Sequence, residues 1–494
     1  MALPPSKVST SLAGARLGVT SIVFFTVAAA APETVVGGGA VSGFAVSGIS
    51  GIPIGYLAIA VVLGLFAVGY VTMARHVENA GAFYAYIAKG LGKVSGTAAG
   101  GLALVSYNVL EVSLVGGFGV GASDFVRQLS GADIPWWLFA GAGVLAIAVL
   151  GGLRIDVNGK VLGVLLAAEI AVLVLFDLAF VSSPSPQGIV LTTLNPAQLA
   201  TGAAGVILVI AFTGFIGFEN STVLAEEARD PRTVVYATYI SLAVIGGLYS
   251  VSTWAMTVAT GPSQIVDQAR AHSTELMFVL AGERLPGLLV TIGSALYVTS
   301  LFAGMLSFHH VCARYFFALG REGVGPRWWG TTSARTGAPV PGSLSQTAVS
   351  AVVVLAVVVT GLDPITHLFY WCASIGALGV LVLVTFTSVA VVGYFLRAEP
   401  NAHGRWKTLV APAVAAVALG AVLVLTLLSF GTVLGVEEGD PVAWALPLAY
   451  LVVVVAGLGW GLVLRRNRPD AYARIGMGAR SATVRVEQEA VDVR

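Results

Sequence analysis

Long apolar stretches alternate with short polar segments along almost the whole chain. Each stretch is long enough to cross a bilayer, because a spanning helix needs about 20 mostly apolar residues. The stretches lack the two-residue alternation, in segments of about ten residues, that outer-membrane barrels show. The pattern predicts twelve transmembrane helices, at 17–43, 53–74, 95–126, 135–153, 158–182, 202–224, 234–259, 286–318, 342–361, 365–396, 408–431 and 441–464.

The composition of the 494 residues agrees with a membrane protein. Hydrophobic residues make up 57% of the chain and charged residues 10%, whereas a soluble domain has roughly 25% charged residues. The net charge of +1 provides no field to attract nucleic acid, and the two cysteines, Cys312 and Cys372, cannot form a disulfide framework. Composition therefore excludes a soluble enzyme, a nucleic-acid binder and a disulfide scaffold, and we expect neither catalysis nor a cofactor.

The distribution of Lys and Arg between the predicted spans indicates the orientation. Arg127, Arg270 and Arg284 are the only basic residues in one set of alternate loops, and the remainder of the 26 lie in the other set and at the two ends. Cytoplasmic loops carry the excess of basic residues, so we expect both termini to be cytoplasmic and the protein to be a multi-pass component of the cell membrane. The predicted organisation is an N-terminal tail (1–16), a core of ten spans (17–396), two further spans (397–464) and a C-terminal tail (465–494).

Two longer polar segments lie outside the predicted spans. The outside loop at about 260–286 is amphipathic, which suits either a short helix pair on the surface or a simple connector. The tail after Arg465 lacks apolar periodicity. The sequence predicts that this tail is a mobile cytoplasmic extension.

Two spans are interrupted in their middle. Span one contains a run of alanines followed by Pro32 and, a few residues later, three glycines, while span six is interrupted over 213–220 by two glycines. Proline and glycine weaken a helix, and in lipid the freed backbone groups must face protein or a water-filled cavity. Broken helices in corresponding halves of a chain indicate the substrate site of an inverted-repeat transporter. The alternative is a pair of kinks with no ligand.

Several motifs then resemble the amino acid–polyamine–organocation permeases. They are PETVV at 32–36, NAGAFYAYI at 79–87, FIGFE at 215–219 with LAEEARDPR at 224–232, and FHHVCARY at 308–315 with ALGREG at 318–323. The resemblance implies an all-α integral membrane protein of twelve transmembrane helices. It also implies the five-plus-five inverted repeat of LeuT-like folds, with discontinuous helices 1 and 6 and two added C-terminal helices.

The resemblance also implies a substrate site between the two breaks. Ala30, Ala31 and Pro32 stand where many members have a Gly-Ser-Gly turn, and backbone N–H groups there can hold a substrate carboxylate. Thr213 lies at the second break, and Phe212 and Phe215 flank it. One of these aromatic rings is a candidate lid over the substrate, and ordinary packing is the alternative for each.

Two acidic residues are candidates to contact the substrate, since an ionisable side chain inside a span is costly. Glu219 lies where span six resumes and is a candidate proton carrier or gate partner; a structural role on the unwound backbone is the alternative. Glu111 lies mid-span, and the resemblance places it on the side of span three that lines the chamber. There it would favour a substrate amine, unless it is instead bonded to a neighbouring helix.

A third acidic residue, Glu169, is a candidate coupling site. It occupies the part of span five where some relatives carry a lysine, and with Thr299 and Ser300 of span eight it is expected to bind a cation or to titrate as the proton site. A buried carboxyl can hold a proton near neutral pH, as coupling requires. A locally hydrogen-bonded glutamate is the alternative. No spacing of Cys, His and carboxylates supports a metal site.

The acidic run at 226–232 lies at the cytoplasmic end of span six. It is expected either to gate the pathway by pairing with Arg75 or to be a solvated loop. Taken together, the sequence predicts a secondary transporter of amino acids or related amines and polyamines that works by proton symport. A substrate exchanger or a sodium-coupled carrier of the same fold is the alternative.

Overall fold

The computed structural model describes residues 8–9, 12, 16–397 and 404–481 of the chain. These residues are almost entirely helical, and the described strands, β1 (Val8–Ser9) and β2 (Thr332–Ser333), form one short antiparallel pair. Eleven of the described helices are long and apolar enough to cross a membrane. The remaining predicted stretch, 135–153, is a shorter apolar helix, Trp136–Gly151. Most of the predicted N-terminal tail and the end of the C-terminal tail lie outside the described residues.

The helices follow one another with short connections. In the first half the described α-helices are α1 (Val19–Ala29), α2 (Pro32–Thr34), α3 (Val41–Ser47), α4 (Ile52–Ala74), α5 (Ala82–Leu91), α6 (Lys93–Ser130), α7 (Trp136–Gly151), α8 (Ile155–Ser182), α9 (Ala204–Phe215) and α10 (Asn220–Val223). In the second half they are α11 (Pro231–Thr260), α12 (Ile265–His272), α13 (Leu276–Gly282), α14 (Gly287–Glu322), α15 (Val340–Thr360), α16 (Ala373–Arg397), α17 (Ala411–Leu428), α18 (Phe430–Leu434), α19 (Val442–Asn467) and α20 (Pro469–Arg474).

Tighter and wider helical turns supplement these elements. The described π-helical segments are Val35–Ala40, Pro364–Cys372 and Trp406–Val410. The described 3-10 turns are Thr192–Leu194, Pro196–Ala200, Ala225–Glu227, Ser273–Glu275 and Arg327–Gly330. Two of the π-helical segments, Val35–Ala40 and Pro364–Cys372, contribute residues to the cavity described below; π-helical turns inside helices are frequent at functional sites.

Helix α6 lies at the centre of the bundle. It packs against α14, α19, α16, α5 and α7. Small residues permit the close approach, as is usual between membrane helices: a Cβ added at Gly117 would lie 2.6 Å from the ring of Phe369, and one at Gly376 would lie 3.1 Å from the carbonyl oxygen of Ser106. These contacts hold the middle of α6 against Pro364–Cys372 and α16.

The two longer polar segments, at 260–286 and after Arg465, both form helices where they are described. The loop at 260–286 forms the short helix pair α12 and α13, which is the first of the two predicted alternatives. The prediction of a mobile C-terminal tail is wrong for the described residues up to Ser481, because α20 is followed by backbone that docks on the end of α14. There the N–H groups of Gly476 and Gly478 donate to the carboxylate of Glu322.

Candidate functional site

The predicted interruption of span one is confirmed. Helix α1 ends at Ala29, Ala31 adopts a left-handed conformation with φ of 45°, and α2 begins at Pro32. Proline has no N–H to donate and suits the first position of a helix. The turn between α1 and α2 is buried, since Ala30 and Ala31 are each 3% exposed. This part of the backbone therefore faces protein rather than lipid, as a break within a membrane must.

The interruption of span six is confirmed as well and touches the first. Helix α9 ends at Phe215, Ile216 is extended, and Gly217 has φ of 116°. A Cβ at Gly217 would lie 2.7 Å from the Cβ of Ala29 and 3.0 Å from the backbone nitrogen of Ala30. Glycine is therefore required here both by the backbone conformation and by the close contact. The two breaks form one unwound region.

A cavity of about 120 Å³ lies beside this unwound region. It is bounded by the broken spans, by α4 and α6, by α14, and by the segment that leads into α16. Its wall is mainly apolar and aromatic, with small hydroxyl side chains at intervals. The lining residues are Ala29, Ala30, Ala31, Thr34, Val35, Gly39, Ser42, Tyr56, Leu110, Ser113, Leu114, Ile210, Thr213, Gly214, Ile216, Phe308, Phe369, Tyr370, Ala373, Ser374 and Val433.

This lining contains three of the residues that the sequence predicted for substrate binding. Ala30, Ala31 and Thr213 line the cavity, whereas Pro32 is buried beside it. Phe212 is fully buried and does not line the cavity. Phe215 lies away from it too, in an aromatic cluster with Tyr56 and Tyr249 whose ring centroids are 6.2–6.3 Å from that of Phe215.

The aromatic rings of the cavity come from positions that sequence reasoning missed. They are Tyr56 of α4, Phe308 of α14, and Phe369 and Tyr370 of the π-helical segment. A Phe-Tyr-Trp run at 369–371 was the only local signal for two of them. Tyr56 resembles any other core aromatic residue in the sequence. Phe308 begins the motif at 308–315, which indicates the family but not a place in the cavity wall.

Glu219 connects the second break to α6. Its Oε1 accepts a hydrogen bond of 2.7 Å from the hydroxyl of Tyr107, and its Oε2 accepts one of 2.9 Å from the N–H of Gly217. The side chain is fully buried and does not line the cavity. Both oxygens thus satisfy groups of the unwound region and its neighbour, which is the structural role foreseen as the alternative.

Glu111 faces away from the cavity. Its Oε1 lies 3.3 Å from Nδ1 of His309, and its Oε2 accepts a hydrogen bond of 3.0 Å from the hydroxyl of Ser350. Nε2 of His309 in turn lies 2.7 Å from the hydroxyl of Ser343. Glu111 therefore joins α6 to α14 and α15, in agreement with the alternative of a bond to neighbouring helices.

Glu169 of α8 lies next to α2, the short helix that follows the first break. It is within reach of the hydroxyl of Ser300 and the backbone N–H of Glu33, although its two oxygens form no hydrogen bond of normal geometry among the described residues. Thr299 instead donates to the carbonyl oxygen of Leu296 in its own helix, at 2.9 Å. The structure thus brings Glu169 and Ser300 together and turns Thr299 away.

The acidic run that follows span six forms ion pairs with α14. Arg314 donates from Nε and Nη2 to Glu227 at 2.7 and 3.0 Å, and Arg321 donates from both terminal nitrogens to Glu226. Arg75, the predicted partner, does not form these pairs. Within the described residues there is also no group of three His, Cys, Asp or Glu side chains that could hold a metal ion.

The broken spans, the cavity beside them and the many apolar helices are typical of a membrane permease. A family model described as amino acid permease matches residues 17–457. The chain therefore belongs to the amino acid permease family, within the amino acid–polyamine–organocation superfamily, as the sequence motifs predicted.

Two curated relatives are similar over much of their length. The uncharacterized amino acid permease YecA of Bacillus subtilis (strain 168) is 28% identical over 305 residues, which cover 60% of this chain and 67% of YecA. The low-affinity putrescine importer PlaP of Escherichia coli (strain K12) is 25% identical over 376 residues, which cover 72% of this chain and 76% of PlaP. The relatives agree with transport of amino acids or polyamines by this family.

Proposed function

We propose that this protein is a secondary active transporter that moves amino acids or related amines across the cell membrane by proton symport. The observation that carries the proposal is the cavity of about 120 Å³ between two interrupted spans. Unwound backbone at such breaks provides free N–H and C=O groups for the charged ends of a substrate. In this proposal α7 is a spanning segment, the five-plus-five repeat is present, and both ends of the sequence lie in the cytoplasm, as the basic loops favour.

Within that function, a neutral amino acid fits the cavity better than a diamine. Among the lining residues there is no Asp, Glu, Lys, Arg or His. A zwitterion has one carboxylate and one ammonium group, which backbone groups and the hydroxyls of Ser113, Thr213 and Ser374 can satisfy. The rings of Phe308 and Phe369 suit an apolar side chain. A diamine would bring two buried positive charges to a wall with no carboxylate, which is costly.

Coupling to protons requires a group that binds a proton in one state and releases it in the other. Glu169 and Glu219 are the two candidates. Glu219 is already held by Tyr107 and Gly217, whereas the oxygens of Glu169 have no hydrogen-bond partner among the described residues. We therefore assign coupling first to Glu169. Rocking of the broken spans and the helices that follow them against the remainder would alternate access to the cavity.

The test is uptake into proteoliposomes from a panel of radiolabelled amino acids and amines under an imposed pH gradient. We expect neutral, apolar or aromatic amino acids to accumulate and putrescine not to compete. Accumulation that follows a sodium gradient, tested by replacing sodium with choline at a fixed pH gradient, would support the sodium-coupled alternative. Flux seen only with substrate on both sides would support the exchanger.

A further inference from the structure

A second carboxyl group lies beside Glu169. Glu33 belongs to α2, directly after the first break, and it interacts electrostatically with Glu169 of α8. Neither side chain is more than 1% exposed. All four carboxyl oxygens lack a hydrogen-bond partner among the described residues, and so does the buried hydroxyl of Ser300. Three helices thus direct five buried oxygen atoms without partners into one small region.

Among the described residues, no Lys, Arg or His is in electrostatic contact with the two carboxyls. The groups in electrostatic contact with them are the backbone N–H of Glu33 and the hydroxyls of Ser300, Tyr249 and Tyr297. Tyr249 is committed elsewhere, since it donates to the carbonyl oxygen of Ala30 at 2.7 Å. Helices α1 and α13, which also pack against α8, contain no ionisable side chain.

Two ionised carboxylates are not stable side by side in this buried region, whose described residues offer them no positive charge. Each carboxylate loses its hydration on burial and repels the other, and within a protein neither effect is screened by water. When two carboxyl groups share a site, one of them holds a proton, as in other paired carboxyls. The pair is therefore suited to bind a cation, and the Ser300 hydroxyl supplies a further oxygen.

We propose that Glu33 and Glu169 form a two-carboxyl proton site, completed by Ser300, and that this pair is the coupling site of the transporter. The inference rests on the proposed function. A proton from extracellular water bonds to a carboxylate oxygen of the pair when substrate binds, and it returns to cytoplasmic water when the site opens inward. Glu33 is added here to Glu169 as a coupling residue, and it places one carboxyl on the broken span itself.

The position of Glu33 links the proton to the substrate mechanically. Ala30 and Ala31 line the cavity, and Glu33 follows two residues later, in the short helix α2 that begins at the end of this break. A substrate that contacts this segment moves Glu33 relative to Glu169, which lies on a continuous helix. The repulsion between the carboxylates depends on their separation. Binding of substrate therefore changes the affinity of the pair for its proton.

The test compares Glu33→Gln and Glu169→Gln with wild type in proteoliposomes whose membrane potential is clamped at zero. With one proton per substrate, an inward gradient of about one pH unit supports about tenfold accumulation, and without coupling the ratio is about one. We expect about tenfold accumulation by the wild type and a ratio of about one for each variant. Counterflow exchange should continue in all three proteins. Asp177→Asn is the matched control, since Asp177 is a buried carboxyl on α8 that accepts from Ser252 at 2.6 Å.

The outcomes separate the two proposals. Absence of counterflow in the wild type overturns the proposed function itself. Counterflow in the wild type with pH-driven accumulation retained by either variant overturns the two-carboxyl site alone. Accumulation driven by sodium overturns proton symport, and with it the two-carboxyl proton site. A readout that needs no liposomes is proton uptake by purified protein on addition of substrate in weakly buffered detergent. We expect about one proton for the wild type and none for Glu169→Gln.

Discussion

The hydroxyl of Tyr107 on α6 donates a hydrogen bond of 2.7 Å to Oε1 of Glu219, where span six resumes. The two residues are 112 positions apart in the chain. Because Oε2 of the same carboxylate accepts from the N–H of Gly217, the pair fixes the unwound backbone to the central helix. The geometry of the cavity therefore depends on a bond that lies outside it.

Tyr107→Phe removes the donor to Glu219 and nothing else. We expect a loss of about 1 kcal/mol in the free energy of unfolding, the size typical of one hydrogen bond between membrane helices, together with weaker substrate binding. Denaturant titration in detergent micelles measures the first effect and scintillation proximity binding the second. Tyr450→Phe is the control, since the Tyr450 hydroxyl has no hydrogen-bond partner among the described residues. Equal effects in the two variants would contradict the role given to Tyr107.

Gly217→Ala is expected to disrupt the contact between the two breaks. The φ of 116° disfavours any side chain, and the new Cβ would lie 2.7 Å from Ala29. Strain of this kind costs about 1–3 kcal/mol. We expect lower thermal stability and loss of uptake. Gly64→Ala serves as the control, because a Cβ at Gly64 meets no atom within 4 Å; normal uptake by Gly217→Ala would show that the breaks need not touch.

The ion pair between Arg314 and Glu227 joins α14 to the segment that follows span six. Both side chains are 2% exposed, and the carbonyl oxygen of Glu227 also accepts from the N–H groups of Arg16 and Leu17. Glu227→Gln leaves a buried guanidinium without its charge partner, which typically costs about 3–5 kcal/mol. We expect the variant to unfold at a much lower denaturant concentration than the wild type.

An exposed pair provides the comparison for Glu227. The side chains of Asp124 and Arg127 are 40% and 56% exposed, and exposed pairs contribute about 0–1 kcal/mol. Asp124→Asn should therefore leave the unfolding midpoint almost unchanged. If Glu227→Gln is as mild as Asp124→Asn, then the Arg314 pair does not stabilise the fold.

The C-terminal segment is expected to stabilise the end of α14. The buried carboxylate of Glu322 accepts hydrogen bonds from Asn79, Tyr84, Gly476 and Gly478. A stop codon directly after Arg468 removes two of these four donors, and each lost bond to a charged group costs about 1.5–3 kcal/mol. We expect a lower melting temperature for this truncation, measured by size-exclusion chromatography after heating. Truncation directly after Ser481 keeps both glycines and should melt like the full chain.

Sequence alone predicted the features that depend on local chemistry. Hydropathy marked the spans, because an apolar stretch of sufficient length must be buried in lipid wherever it occurs. Pro32, Gly214 and Gly217 marked the interruptions, since proline lacks an N–H and glycine tolerates a positive φ. The family followed from motifs at these same positions. All of these features are properties of a few neighbouring residues.

Tertiary structure decided which side chains meet. Glu111 was a candidate for the substrate amine but contacts His309, which is 198 residues away in the chain. Glu226 and Glu227 pair with Arg321 and Arg314 rather than with Arg75. The aromatic rings of the cavity and the approach of Glu33 to Glu169 were equally hidden. The rotation of each helix about its axis selects these contacts, and it is determined by packing against several other helices at once, which no local pattern encodes.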